Sequence, residues 1–382
     1  MDRNQERGTD MANPLQDLRN LGQSFWLDYI DRSLLETGGL RRLVEEDGLR
    51  GVTSNPSIFE KAVAGSALYD DSLSGHLIAN PDASAKDLFE HVGVNDIRDA
   101  ADVLRAVYDE SNGADGFVSL EVSPHLAYDT EGTIREGLRL WHEVARPNLM
   151  IKVPAAPQGF PAVEELIAQG LNVNVTLMFS LEQYEAAARA YVRGVARLAD
   201  PTHAASVSSF FVSRVDTKVD ALLDDIGTAK ALALRGRAAV ANARQAYQLS
   251  LRLAEEPEFR RQAARGARPQ RLLWASTSTK NPDYSETMYV DDLIGPNTVN
   301  TMPPATVDAF RSVSSVRPTL ADNPKESARV LADIAALGID FQRVHAELLE
   351  EGVDAFTTAY DQLLHTAESK AKAAASLAAA GS

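Results

Sequence analysis

The chain has 382 residues, 45% of them hydrophobic, enough for one large domain or two ordinary ones with a sizeable core. Lysine plus arginine total 38 against 54 acids, a formal net charge of -16, which argues against nucleic acid or an anionic membrane as the main partner. No cysteine is present for disulfide or thiolate-metal chemistry, and no apolar run is long enough to span a bilayer, so a soluble, cytoplasmic protein is expected.

Residues 1–13 read as a flexible polar arm. From there, β-prone runs alternate with helical patterns. SFWLD (24–28) precedes a helix at 33–46, and GVTS (51–54) is followed by one at 85–110. GFVSLEV (116–122), NLMIKVP (148–154) and LNVNVTL (171–177) are each followed by a helix, at 131–146, 159–169 and 181–199. ASVSSFFVS (205–213) leads into a long helix at 216–256, and RLLWAS (271–276) and TVNTM (298–302) complete eight candidate strands. Helices at 304–312, 323–336 and 340–368 follow, then an Ala-rich tail at 369–382. Strands alternating with helices imply parallel pairing through crossovers, and eight such units predict a (β/α)8 TIM barrel over 14–368 with extra N- and C-terminal helices. On pattern alone, a doubly wound open sheet is the alternative.

Successive strand residues point to opposite faces, and here the two faces differ in chemistry. Val118, Leu120 and Val122 oppose Phe117, Ser119 and Glu121; Leu149, Ile151 and Val153 oppose Met150 and Lys152; Val173, Val175 and Leu177 oppose Asn172, Asn174 and Thr176. An apolar face suits a covering helix, and a polar face suits the C-terminal mouth of a barrel. Glu121, Lys152, Asn174 and Thr176 are therefore expected to meet there.

A lone strand lysine ordinarily snorkels or forms a buried ion pair, here with Glu121, and such a pair seldom adds stability over an apolar isostere. The functional alternative is a Schiff base. An amine attacks a carbonyl only when unprotonated, so a lysine pKa near ~10.4 has to fall toward ~7, and the carbinolamine then needs a proton donor. Glu121 on the neighbouring strand is the right type. Asp28, at a strand end, reads equally well as a helix cap, and TSNPSIF (53–59) as turn and helix-start chemistry. SFFVSR (209–214) and STSTKN (276–281) end β-runs with hydroxyls and one cation each, Arg214 and Lys280, which suggests a phosphate clamp as readily as surface ion pairs. The seven histidines show no HxH or HExxH spacing, and GxGxxG and GxxxxGK are absent, so no metal and no nucleotide cofactor is expected.

Taken together, WLDYIDR, GVTSNPSIFEKA, VSLEVSP, LMIKVPA, NVNVTLMFS, SFFVSRVD, STSTKNP and TVNTMPP resemble the transaldolases, class I aldolase-type barrel enzymes of the pentose phosphate pathway, in their longer bacterial form. The segments run in the family's order over residues 20 to 310. The resemblance implies that Lys152 forms a Schiff base with a ketose, that Glu121 moves protons through a water held by Thr176, and that Asp28 takes the C4 hydroxyl proton. It further implies that Asn55, Asn174 and Ser209 hold the dihydroxyacetone unit and that Arg214 and Lys280 grip the sugar phosphate. Some branches carry arginine where Lys280 stands; phosphate binding survives that exchange, bidentate geometry does not. The related fructose 6-phosphate aldolases, which release free dihydroxyacetone, carry glutamine at the Glu121 position and tyrosine at the Phe211 position, so Glu121 and Phe211 favour the transferase. A non-catalytic phosphosugar-binding barrel could dispense with Lys152 or Asp28, and both are present. The implied partners are sugar phosphates, with neither nucleic acid nor membrane, and a monomer or homodimer is expected.

Overall fold

A computed structural model describes residues 13–380, so nearly all of the expected N-terminal arm lies outside the described residues. Eight strands form the centre: β1 (Gln23–Leu27), β2 (Gly51–Thr53), β3 (Phe117–Glu121), β4 (Leu149–Pro154), β5 (Val173–Met178), β6 (Ser206–Phe211), β7 (Arg271–Ala275) and β8 (Thr298–Met302). All neighbours are parallel and the barrel is closed. Closure rests on β1 pairing with β8 from Gln23 opposite Thr298 to Leu27 opposite Met302, which excludes the open sheet.

The outward faces carry the branched apolar residues. Val118, Ile151, Val173 and Val175 are fully buried beneath helices, as parallel strands covered on both faces require. Gly51 starts β2 because nothing larger fits: a Cβ there would lie 2.4 Å from the Trp26 ring. β5 departs from regular alternation, with Leu177 at φ 56° and the β6 register shifting between Val175 and Met178. This irregularity kinks the strand at the mouth, beside Thr176. At the opposite end Asp115 closes the barrel, accepting from Ser24 Oγ (2.5 Å) and Trp26 Nε1 (2.9 Å), with the Arg271 guanidinium at 3.4 Å.

Several helices differ from expectation. The single helix at 216–256 is instead Ser213–Ile226, Ala229–Leu232 and Ala238–Glu255. Gly227, at φ 66°, ends the first and Thr228 caps the second, so local capping interrupts an otherwise continuous amphipathic pattern. Two helices in the long β2–β3 connection, Pro56–Gly65 and Asp70–Ala79, were not read from periodicity. The first starts at Asn55, whose side chain accepts from Ile58 N, with Pro56 in the first turn. The C-terminal helix runs from Phe341 to Ala380, well past residue 368. It packs on Pro56–Gly65, Asp70–Ala79 and Ala85–Val103. Ala367 and Ala371 are fully buried, and Lys370 donates to the carbonyls of Val63 (2.9 Å) and Ser66 (2.6 Å) and pairs with Asp70 at 2.9 Å.

Candidate active site

In-register pairing sets Glu121 beside Lys152 and Lys152 beside Asn174 at the C-terminal ends of β3, β4 and β5. Residues in the same phase of adjacent strands project to the same side, which converts the sequence alternation into a cluster. Lys152 Nζ lies 3.1 Å from Glu121 Oε2, with both side chains about 95% buried. It also donates to the Ser54 carbonyl at 2.8 Å. The ion pair anticipated as the bland account is therefore present, but it sits at the floor of a cleft. Burial pushes the Glu121 carboxyl above the usual range, against the opposing pull of Lys152. Among the described residues, Thr176 Oγ1 and Glu121 Oε1 are buried without a hydrogen-bond partner.

Asp28 follows β1 directly and accepts from Thr53 Oγ1 at 2.7 Å; that hydroxyl also lies 2.7 Å from Thr301 Oγ1. Its carboxyl is likewise raised by burial, opposed by the Thr53 hydrogen bond and by Lys152 and Lys280. The cleft, about 450 Å³, opens at the C-terminal mouth and is lined by Asp28, Asn55, Lys152, Thr176, Ser209, Phe211, Arg214 and Lys280. Glu121 and Asn174 lie behind this wall. Asn174 is fully buried, receiving the Ser209 hydroxyl at 2.7 Å and donating to Ser119 Oγ at 3.1 Å, so it reaches the cleft only through Ser209.

Arg214 and Lys280 have no carboxylate within ion-pair distance among the described residues, on a chain whose other cations are widely paired. Arg214 instead packs on the Phe211 ring at 5.4 Å. Burial lowers both cations' pKa values, and Arg214 and Lys61 lower that of Lys280 further. An incoming dianion would relieve that mutual repulsion.

Two cleft residues escaped the sequence reading. Lys61, from the Pro56–Gly65 helix, is a third cation on the rim and also lacks an ion-pair partner among the described residues. Its only signal was its place in SIFEKA, where it resembles any surface lysine. Phe356, from the C-terminal helix, is buried over the floor with its ring centre 5.8 Å from Lys152 Nζ. At helical spacing it reads as an ordinary core aromatic. Among the described residues no group of three or more His, Asp or Glu side chains is placed to hold a metal ion, and no helix is long and apolar enough to cross a membrane.

Residues 25–367 match the family described as Transaldolase/Fructose-6-phosphate aldolase. The chain belongs to this family. Among its relatives is the transaldolase of Thiobacillus denitrificans, 49% identical across 92% of this chain and 99% of that protein. The transaldolase of Parafrankia sp. is 46% identical across 96% of this chain and all of its own length, and that of Trichodesmium erythraeum 43% across 95% and 98%. The transaldolase/fructose-6-phosphate aldolase match begins inside β1 and ends within the C-terminal helix, so it spans the whole barrel and the helix that carries Phe356.

Proposed function

We propose that this chain is a transaldolase that moves a dihydroxyacetone unit from sedoheptulose 7-phosphate to glyceraldehyde 3-phosphate, giving erythrose 4-phosphate and fructose 6-phosphate, through a Schiff base on Lys152. The observation that carries the reading is the buried Lys152–Glu121 pair at the floor of a cleft rimmed by three cations without ion-pair partners among the described residues. In this scheme Lys152 adds to the ketose C2, and Glu121 protonates the departing hydroxyl through a water hydrogen-bonded to Thr176 Oγ1. Thr176 Oγ1 and Glu121 Oε1, which have no hydrogen-bond partner among the described residues, suit that bridge. Asp28 then takes the C4 hydroxyl proton as the C3–C4 bond breaks, and the bonding pair comes to rest in a neutral enamine.

Asn55 has its Oδ1 committed to the helix cap, so its amide nitrogen is the group left for a substrate hydroxyl. Ser209, oriented by Asn174, holds another. Arg214, Lys280 and Lys61 meet the phosphate. Transfer is favoured over release by Glu121 and Phe211, and by the transaldolase names of the relatives above. Free sugar phosphates as substrates and a chain without cysteine suit a soluble enzyme of the cytoplasm.

Borohydride added with fructose 6-phosphate should reduce a covalent adduct onto Lys152, and Lys152→Ala should lose both labelling and turnover. Labelling at another lysine sinks the assignment. Activity that is lost to EDTA and restored by a divalent ion would instead indicate a metal-dependent aldolase.

A further inference from the structure

The C-terminal helix lies across the mouth of the barrel and is held at several points. Lys218, on Ser213–Ile226, pairs with Glu347 at 2.8 Å and Glu351 at 2.5 Å, and His125 lies 2.7 Å from Asp361. Between these ties the helix approaches closely at Gly352, where a Cβ would stand 2.9 Å from Leu177 Cδ2, at the kink of β5. One turn on, the same face presents Phe356, which is 4% exposed. Its ring centre lies 5.8 Å from Lys152 Nζ and 6.0 Å from the Arg214 guanidinium carbon. Nζ thus has polar neighbours in Glu121 and Ser54 and an apolar one in Phe356, supplied by a segment outside the eight strands.

In the Schiff-base scheme one intermediate is exposed in a way the others are not. Once the first aldehyde departs, the enamine occupies only the floor of the cleft and the space above it is open to solvent. Attack of its C3 on an acceptor aldehyde forms the new C–C bond, the aldehyde oxygen takes a proton, and the imine is regenerated for hydrolysis. The competing path protonates C3, adds water to C2 and breaks the C–N bond, which returns the amine and free dihydroxyacetone. A bulky apolar ring beside Nζ keeps bulk water from that space without displacing Glu121 from Nζ. With a full-length ketose bound, the sugar itself fills the cleft and the ring matters less.

We infer that Phe356 decides the fate of the lysine-bound three-carbon unit, keeping it for an aldehyde acceptor instead of losing it to water; this rests on the Schiff-base reading above. The test measures free dihydroxyacetone against transfer product, with fructose 6-phosphate as donor and erythrose 4-phosphate as acceptor. Phe356→Ala should raise that ratio about ten-fold or more, Phe356→Leu should fall between it and wild type, and both should retain borohydride capture on Lys152. A wild-type ratio in Phe356→Ala that still captures the adduct overturns the inference alone. Absence of capture and transfer in the wild type overturns the Schiff-base reading and this inference with it. Should Phe356→Ala fail to fold, Phe356→Leu decides: an elevated ratio supports the role and an unchanged one refutes it.

Discussion

Asp28 and Glu121 are both carboxylates raised by burial, yet the proposed scheme gives them different steps. In the proposed scheme Glu121, which touches Lys152, serves formation of the imine, and Asp28, which accepts from Thr53, serves bond cleavage. Asp28→Ala should still form a borohydride-trappable adduct with fructose 6-phosphate while releasing little glyceraldehyde 3-phosphate; Glu121→Ala should form the adduct itself slowly. Indistinguishable trapping kinetics in the two variants would refute this division. The cations are separable in the same way. Arg214→Ala or Lys280→Met should raise KM for phosphorylated ketoses roughly ten- to hundred-fold, the worth of a charge-assisted hydrogen bond, with little change for a non-phosphorylated ketose. Equal losses on both substrates would make these residues structural.

At the level of elements, the helix after β6 is fixed by a buried carboxylate distant from the chemistry. Asp216, in Ser213–Ile226, accepts from Ala239 N at the start of Ala238–Glu255 and from Tyr289 Oη, and has Asp220 nearby. Burial foremost pushes it up to about 7. Between the ordinary aspartate range and pH 7, the folded protein therefore holds a proton that the unfolded chain has lost. The stability this group contributes is present at low pH and is lost as pH rises through about 7. Asp216→Asn keeps the shape and removes the titration. Relative to wild type it should gain stability between about pH 4.5 and 8, by at most ~4 kcal/mol, the full linkage for the shift. Urea unfolding of both proteins at the two pH values measures this, and parallel profiles would contradict it.

For the molecule as a whole, the barrel divides its labour between two ends. The C-terminal mouth holds charges that lack partners among the described residues, while the N-terminal end is closed by a satisfied network around Asp115. Asp115→Ala would leave the buried Trp26 indole N–H without its acceptor and weaken the seat of Arg271, costing about 2–3 kcal/mol. Thermal unfolding should register that loss while kcat/KM of the folded variant stays within about two-fold of wild type. A comparable fall in kcat/KM would show that the two ends are coupled.

Strand order, the inward face and the place of Lys152 on it were legible in the sequence because alternation has a period of two and is fixed along each strand. GFVSLEV, NLMIKVP and LNVNVTL each write their polar face in plain order, and parallel register does the rest. Helix ends in the 213–264 region were less legible, since Gly227 and Thr228 act through local capping that a hydrophobic pattern does not record. Phe356 and Lys61 were hidden for a different reason. Each sits on a helix as an unexceptional residue, and its place over the cleft depends on where that helix packs. The Ala-rich run after residue 368 has little amphipathic signal, yet Ala371 is buried and Lys370 caps carbonyls more than three hundred residues away in sequence. Periodicity sets which side of a strand faces inward; only long-range packing decides which distant helix covers the barrel mouth and which of its side chains meets the lysine.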